Sequence, residues 1–123
     1  MNHWQMLARA IHETIVKDWK PWTTQDRNFL MVATAGEVGE LANLIKKSMR
    51  GDYKGQRAEE RKLMADELAD SQVYLYLLAG ACGVDLDKAV EKKLHWLLET
   101  RYAEHEEAIA VRLGDYRAKE LIT

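Results

Sequence analysis

Pro21 is the chain's only proline, and it lies near the N-terminus. Proline removes a backbone donor and disfavours helix in the residue before it, so it punctuates a helical chain. After it, the clearest breaks come where glycines fall close together, at Gly51 and Gly55 and again at Gly80 and Gly83. Between these points Ala, Leu, Glu and Lys dominate. These are strong helix formers, and the apolar residues among them recur at three- and four-residue spacing. The pattern predicts an all-α chain with four helical segments. The first runs from Trp4 to Trp19. Thr23 and Asp26 then stand at capping-box spacing, and the second runs from Asp26 to Met49. After "RGDYKGQ" the third runs from Ala58 to Ala81. "CGVD" turns the chain, with Asp85 as N-cap, and the fourth runs from Leu86 to at least Glu107. Residues 110–123 read as a short C-terminal helix or a loose tail. Four such helices suggest a bundle. No second boundary or internal repeat appears, so residues 1–123 read as a single domain.

Composition narrows the class. The chain is 47% hydrophobic and 31% charged, enough for both a core and a soluble surface. The net charge is -2, which argues against a nucleic-acid polymer as partner. No run of 18 or more apolar residues exists, so no membrane span is expected. The N-terminal stretch is charged throughout and has no apolar signal core, which points to a cytoplasmic protein. Cys82 is the only cysteine, so neither an internal disulfide nor a zinc–thiolate cluster can form within one chain.

Two acidic pairs sit where apolar residues belong. In the second segment Leu30, Thr34, Glu37, Leu41 and Leu44 share one stripe, with Glu40 one turn beyond Glu37. In the third, Leu63, Glu67, Asp70, Tyr74 and Leu77 do the same. A third pair, Glu104 and Glu107, lies in a polar run and reads as a solvated face. Carboxylates facing a core shift their pKa, pair, or bind a metal. Two readings therefore stand side by side. In one, four converging carboxylates hold a hard cation such as Mg²⁺, Mn²⁺ or Ca²⁺. In the other, Lys or Arg from neighbouring helices neutralises them. A di-iron bundle needs Glu-x-x-His pairs. In this chain Arg9, Lys92 and Tyr102 stand three residues before His12, His95 and His105, so that site is absent.

The spacing Glu37-x-x-Glu40, then Glu67-x-x-Asp70, lies within "GEVGELANLIKKSMRGD" and "ADELADSQVYLYLLA", followed by "GVDLDKAVEKKL". These words resemble the MazG-like all-α nucleoside triphosphate pyrophosphohydrolases over roughly residues 30–101. The resemblance implies cleavage of a nucleoside triphosphate between its α and β phosphates, giving a monophosphate and pyrophosphate, with water as nucleophile. It implies Mg²⁺, with Mn²⁺ as a substitute, held by Glu37, Glu40, Glu67 and Asp70. It gives Glu37 or Glu40 a catalytic role in positioning or deprotonating the water. It also implies a homodimer or homotetramer and a house-cleaning role against surplus or modified (deoxy)nucleotides.

Candidate substrate contacts lie outside the quartet. Lys46, Lys47 and Arg50 end the second helix, where cations suit the helix dipole or could face phosphates. Lys46 is the one assigned to substrate. Lys93 matches a Lys that family members carry in a Lys-x-Asn pattern, although His95 stands where Asn is expected and Arg101 is displaced by about a residue. Aromatic rings stack bases, and Trp22 is the candidate base contact. Val38, Leu68, Val73, Leu75 and Leu78 lie off the carboxylate stripes, which favours a symmetric oligomer that covers them. The competing reading is a non-catalytic helical interaction protein whose acidic pairs are salt-bridged for structure.

Overall fold

The computed structural model describes residues 2–16 and 24–119. They form α1 (His3–Ile15), α2 (Thr24–Met49), α3 (Arg57–Ala81), α4 (Leu86–Glu99) and α5 (Glu106–Ala118), with a short 3₁₀ turn at Ala103–His105 before α5. No strand occurs among the described residues, and the fold is all-α. The chain divides into two compact units, Met1–Leu86 and Asp87–Thr123.

In the first unit, Asn2 caps α1: its side-chain oxygen accepts the Gln5 N–H at 2.8 Å. The helix stops at Ile15, with Val16 in extended conformation. The expected end at Trp19 is therefore too late. The run Thr14-Ile15-Val16 is β-branched throughout, and such residues lose rotamer freedom in a helix. Pro21, Trp22 and Thr23, and with them the expected capping box and base contact, lie outside the described residues.

α2 and α3 form an antiparallel hairpin. α2 ends in a Schellman motif: the Gly51 N–H reaches the Ser48 carbonyl at 3.0 Å and the Asp52 N–H the Lys47 carbonyl at 3.1 Å. Gly51 takes φ of 89°, the left-handed conformation that this closure requires. α3 ends the same way, with Gly83 to Gly80 at 3.0 Å and Val84 to Ala79 at 2.8 Å. Further down the hairpin, the Ser48 hydroxyl donates to Glu60 at 2.6 Å.

α1 packs on α3 through a buried polar residue, Gln5. Its amide donates to the carbonyls of Tyr76 (3.2 Å) and Val84 (3.0 Å), and its oxygen accepts from the Leu86 N–H at 3.0 Å. One side chain thereby ties α1 to α3 and to the turn that follows it. Beside it, Leu30, Leu77 and Ala81 make the core, with Ala8, Tyr74 and Leu78 against them. The core is small. Val38, Leu68, Val73 and Leu75 are all exposed.

In the second unit the expected long fourth helix is two helices. α4 ends at Glu99. The Thr100 hydroxyl donates to the Trp96 carbonyl at 2.6 Å, and the Tyr102 N–H turns back to Leu97 at 2.8 Å. A threonine hydroxyl offers the backbone an alternative partner to the helical one. Arg101 consequently lies in a turn rather than on a helix. Residues 110–118 of the tail belong to α5, which begins earlier than the expected residue 110, and residues 120–123 lie outside the described residues.

Candidate metal centre

The hairpin brings three carboxylates together. Glu37 from α2 and Glu67 and Asp70 from α3 each offer an oxygen, and these oxygens all lie within 4.8 Å of one another. Glu67 and Asp70 are one turn apart and share a face, and the antiparallel register sets Glu37 against them. Glu40 stands outside this trio, exposed, but within hydrogen-bonding reach of both Glu37 and Glu67.

The electrostatics are one-sided. Partial burial pushes the Glu37 carboxyl above its ordinary 4.5, and the charges of Glu40, Asp70 and Glu67 push it further in the same direction. Glu67 is raised by partial burial first, then by Glu40, Asp70 and Asp66. One oxygen of each, Oε2, is buried with no hydrogen-bond partner among the described residues. Buried acceptors are ordinarily satisfied. The neighbouring hydroxyls offer no relief, because Thr34 donates to the Leu30 carbonyl and Ser71 to the Glu67 carbonyl. Among the described residues, no Lys or Arg forms an ion pair with any of the four carboxylates; the pairs seen elsewhere include Arg9–Glu13, Arg50–Asp52 and His105–Glu104. The salt-bridged alternative thus finds no partner at this centre among the described residues. Converging carboxylates with unsatisfied oxygens and no cationic side chain are the donor set of a hard divalent cation.

One cavity borders this centre and a second lies further along α3. A cleft of about 320 Å³ is lined by Glu40, Asn43, Leu44, Lys47, Tyr53, Leu63 and Glu67. Lys47, not Lys46, reaches it. An apolar cavity of about 350 Å³ lies between α1 and α3, walled by Leu7, Ile11, His12, Tyr74 and Leu77 among others. Tyr74 is one turn beyond Asp70, so cavity and carboxylates share α3. Lys93 belongs to the second unit, where its ammonium sits 4.4 Å from the Trp96 ring centre. Gly36 and Gly39 stand on either side of Glu37, and a Cβ at either would meet nothing within 4 Å among the described residues, so neither serves a close approach of another described helix. Glu104 and Glu107 are exposed, as their polar run suggests.

An all-α chain with acidic pairs facing each other across a helical hairpin can be placed by family. Residues 38–115 match the model of the MazG-like family, more than half of the chain, and the chain belongs to that family. The match includes Glu40, Glu67 and Asp70 and begins one residue after Glu37. The chain is 40% identical over 91 residues to dCTP pyrophosphatase 1 of Homo sapiens, covering 72% of this chain and 52% of that protein. It is 40% identical over 80 residues to dCTP pyrophosphatase 1 of Rattus norvegicus, covering 63% and 46%. The chain spans about half the length of the curated relatives it matches. No solved structure matches it.

Proposed function

We propose that the chain is a Mg²⁺-dependent nucleotide pyrophosphohydrolase, acting on a (deoxy)nucleoside triphosphate to give the monophosphate and pyrophosphate. The observation that carries this reading is the convergence of Glu37, Glu67 and Asp70 with two orphaned oxygens and no cationic partner. Family membership and the names of the relatives support it, and dCTP is the first substrate to test.

In this reading Glu37, Glu67 and Asp70 hold Mg²⁺, or Mn²⁺ in its place. When bound, the ion offsets phosphate charge and makes water a better nucleophile. Glu40 lies beside the trio and faces the cleft, so it is placed to orient the attacking water and take its proton. The overall change balances as triphosphate plus water giving monophosphate plus pyrophosphate. The apolar cavity, with Tyr74 in its wall, suits a base and sugar, while the cleft with Lys47 suits phosphates. Lys46, exposed at the end of α2, together with Lys93 and Trp22, stays a proposed substrate contact.

The proposal extends to a single functional domain, because the family match runs through both compact units. It extends to a homodimer or homotetramer, because so many apolar side chains are exposed. No helix among the described residues is long and apolar enough to cross a membrane; a house-cleaning role in the cytoplasm is part of the proposal. The test is pyrophosphate release from a panel of standard and modified triphosphates, with Mg²⁺ and after metal stripping. Release with metal only is the expected result. No release from any triphosphate would leave a helical interaction protein as the better account.

A further inference from the structure

The tip of the α2–α3 hairpin carries a second chemistry, opposite in sign to the metal centre. A cavity of about 530 Å³ is lined by Lys54, Arg57 and Arg61, together with Tyr53, Glu60 and Met64. The side chains of Lys54, Arg57 and Arg61 make no hydrogen bond or ion pair among the described residues. Two pairs involving charged groups at the tip are engaged elsewhere: Arg50 with Asp52 at 2.6 Å, and Glu60 with the Ser48 hydroxyl at 2.6 Å. Three unpaired cations therefore line one concave space whose single carboxylate is already turned to a neighbour.

This space is not isolated from the carboxylates. Tyr53, half-buried, lines both this cavity and the cleft that contains Glu40, Lys47 and Glu67. Arg61 precedes Glu67 by six residues on α3, roughly 9 Å along the helix axis, and Arg57 lies one turn further. Tyr53 is the wall the two spaces share, so the cationic cavity adjoins the cleft that holds Lys47 and Glu67. Guanidinium forks match phosphate oxygens in pairs. The apolar cavity beside Tyr74 lies on the other side of the carboxylates along α3.

We infer that the cavity formed by Lys54, Arg57 and Arg61 is the pyrophosphate subsite: it receives the β and γ phosphates of the substrate and holds pyrophosphate as it leaves. This rests on the hydrolase reading above and adds the residues that would take the leaving group. Arg57 and Arg61 act on the end of the substrate remote from the base, so the subsite serves triphosphates irrespective of base.

The test is calorimetric titration of inorganic pyrophosphate into the metal-stripped full chain, so that binding reports protein cations and not metal held by the carboxylates. Saturable binding is expected. The Arg57→Gln/Arg61→Gln variant should bind at least about tenfold more weakly, with binding of a nucleoside monophosphate unchanged. Arg57→Lys/Arg61→Lys keeps the charge and should lose less. Lys54→Gln, on the loop, gives an independent second reading, and melting curves check that each variant is folded. Absence of pyrophosphate binding by the wild type, or equal affinity in the glutamine variants, overturns the subsite. Turnover of triphosphates combined with unchanged pyrophosphate binding in the variants overturns the subsite alone. Binding lost in the variants without turnover of any triphosphate overturns the hydrolase reading and leaves the pyrophosphate site standing.

Discussion

Glu37 and Glu67 face each other across the α2–α3 hairpin, each with its Oε2 buried and unmatched by any donor among the described residues. Two helices that pack through such a contact are held together by their other residues, with the carboxylates working against them. The region is arranged for something that arrives afterwards, and its stability should reveal that.

The first consequence is a pH dependence. Both carboxyls are raised above 4.5 in the folded chain. A raised folded pKa means the folded state takes up protons more readily than the unfolded one. The resulting stabilisation is complete below about 4.5 and is lost as pH rises through the raised folded values. The metal-free chain should therefore gain less from high pH than a Glu37→Gln/Glu67→Gln variant. Melting temperatures at pH 5 and pH 7.5 for both proteins check this. The difference between variant and wild type should be larger at pH 7.5, and an equal difference at both values would show that these two carboxyls are not its source.

A second consequence concerns metal. A cation that binds only the folded chain stabilises it by mass action, by about 2.7 kcal/mol at a hundredfold excess over Kd. For a chain of this size that is a rise on the order of 10 °C. Mg²⁺ or Mn²⁺ should raise the melting temperature of the wild type, and Asp70→Asn or Glu67→Gln should abolish most of the rise. Equal shifts in wild type and variants would place the metal elsewhere.

Gln5 makes a prediction independent of function. Its side chain satisfies Tyr76, Val84 and Leu86 at once, and it is 1% exposed. Gln5→Ala strands buried backbone groups and should lower stability by about 2–4 kcal/mol. Denaturant unfolding measures this, and a loss within about 0.5 kcal/mol, the range of ordinary surface changes, would show the contact to be dispensable.

How much of the fold and site is legible in the sequence follows from which signals are local. The limits of α2 and α3 are readable within a residue or two, because Gly51 and Gly83 close them by a backbone motif that glycine permits. The approach of Glu37 to Glu67 and Asp70 is readable because helical periodicity places them on the stripes that pack, whereas Glu40 and Asp70, expected to face the core, are exposed. Other features depend on particular hydrogen bonds. The break after α4, where the Tyr102 N–H turns back to the Leu97 carbonyl, carries no glycine or proline to mark it. Gln5 reads as an ordinary polar residue, because its three partners lie 71 to 81 residues away in sequence. Lys46 and Lys47 are adjacent and chemically identical, and only the path of α2 decides that Lys47 enters the cleft.

Assembly is the fourth prediction. Leu68 is 55% exposed and Val38 49%, more apolar surface than an isolated chain of this size keeps in water without consequence. Light scattering at micromolar concentration should give a dimer or tetramer mass. Leu68→Glu or Val38→Glu should shift it toward the monomer if these faces are the covered ones. A clean monomer for the wild type would contradict the assembly.

The central claim is that the acidic pairs exist to hold a metal for hydrolysis and not to hold the helices together. Asp70→Asn tests it most directly. The amide preserves shape and removes one ligand charge, so the metal-free variant should melt no lower than the wild type. Its rate of pyrophosphate release from the best triphosphate, measured with Mg²⁺, should fall at least about 100-fold, in the range that loss of a required charged group produces. Release at the wild-type rate by a folded Asp70→Asn chain would contradict the account.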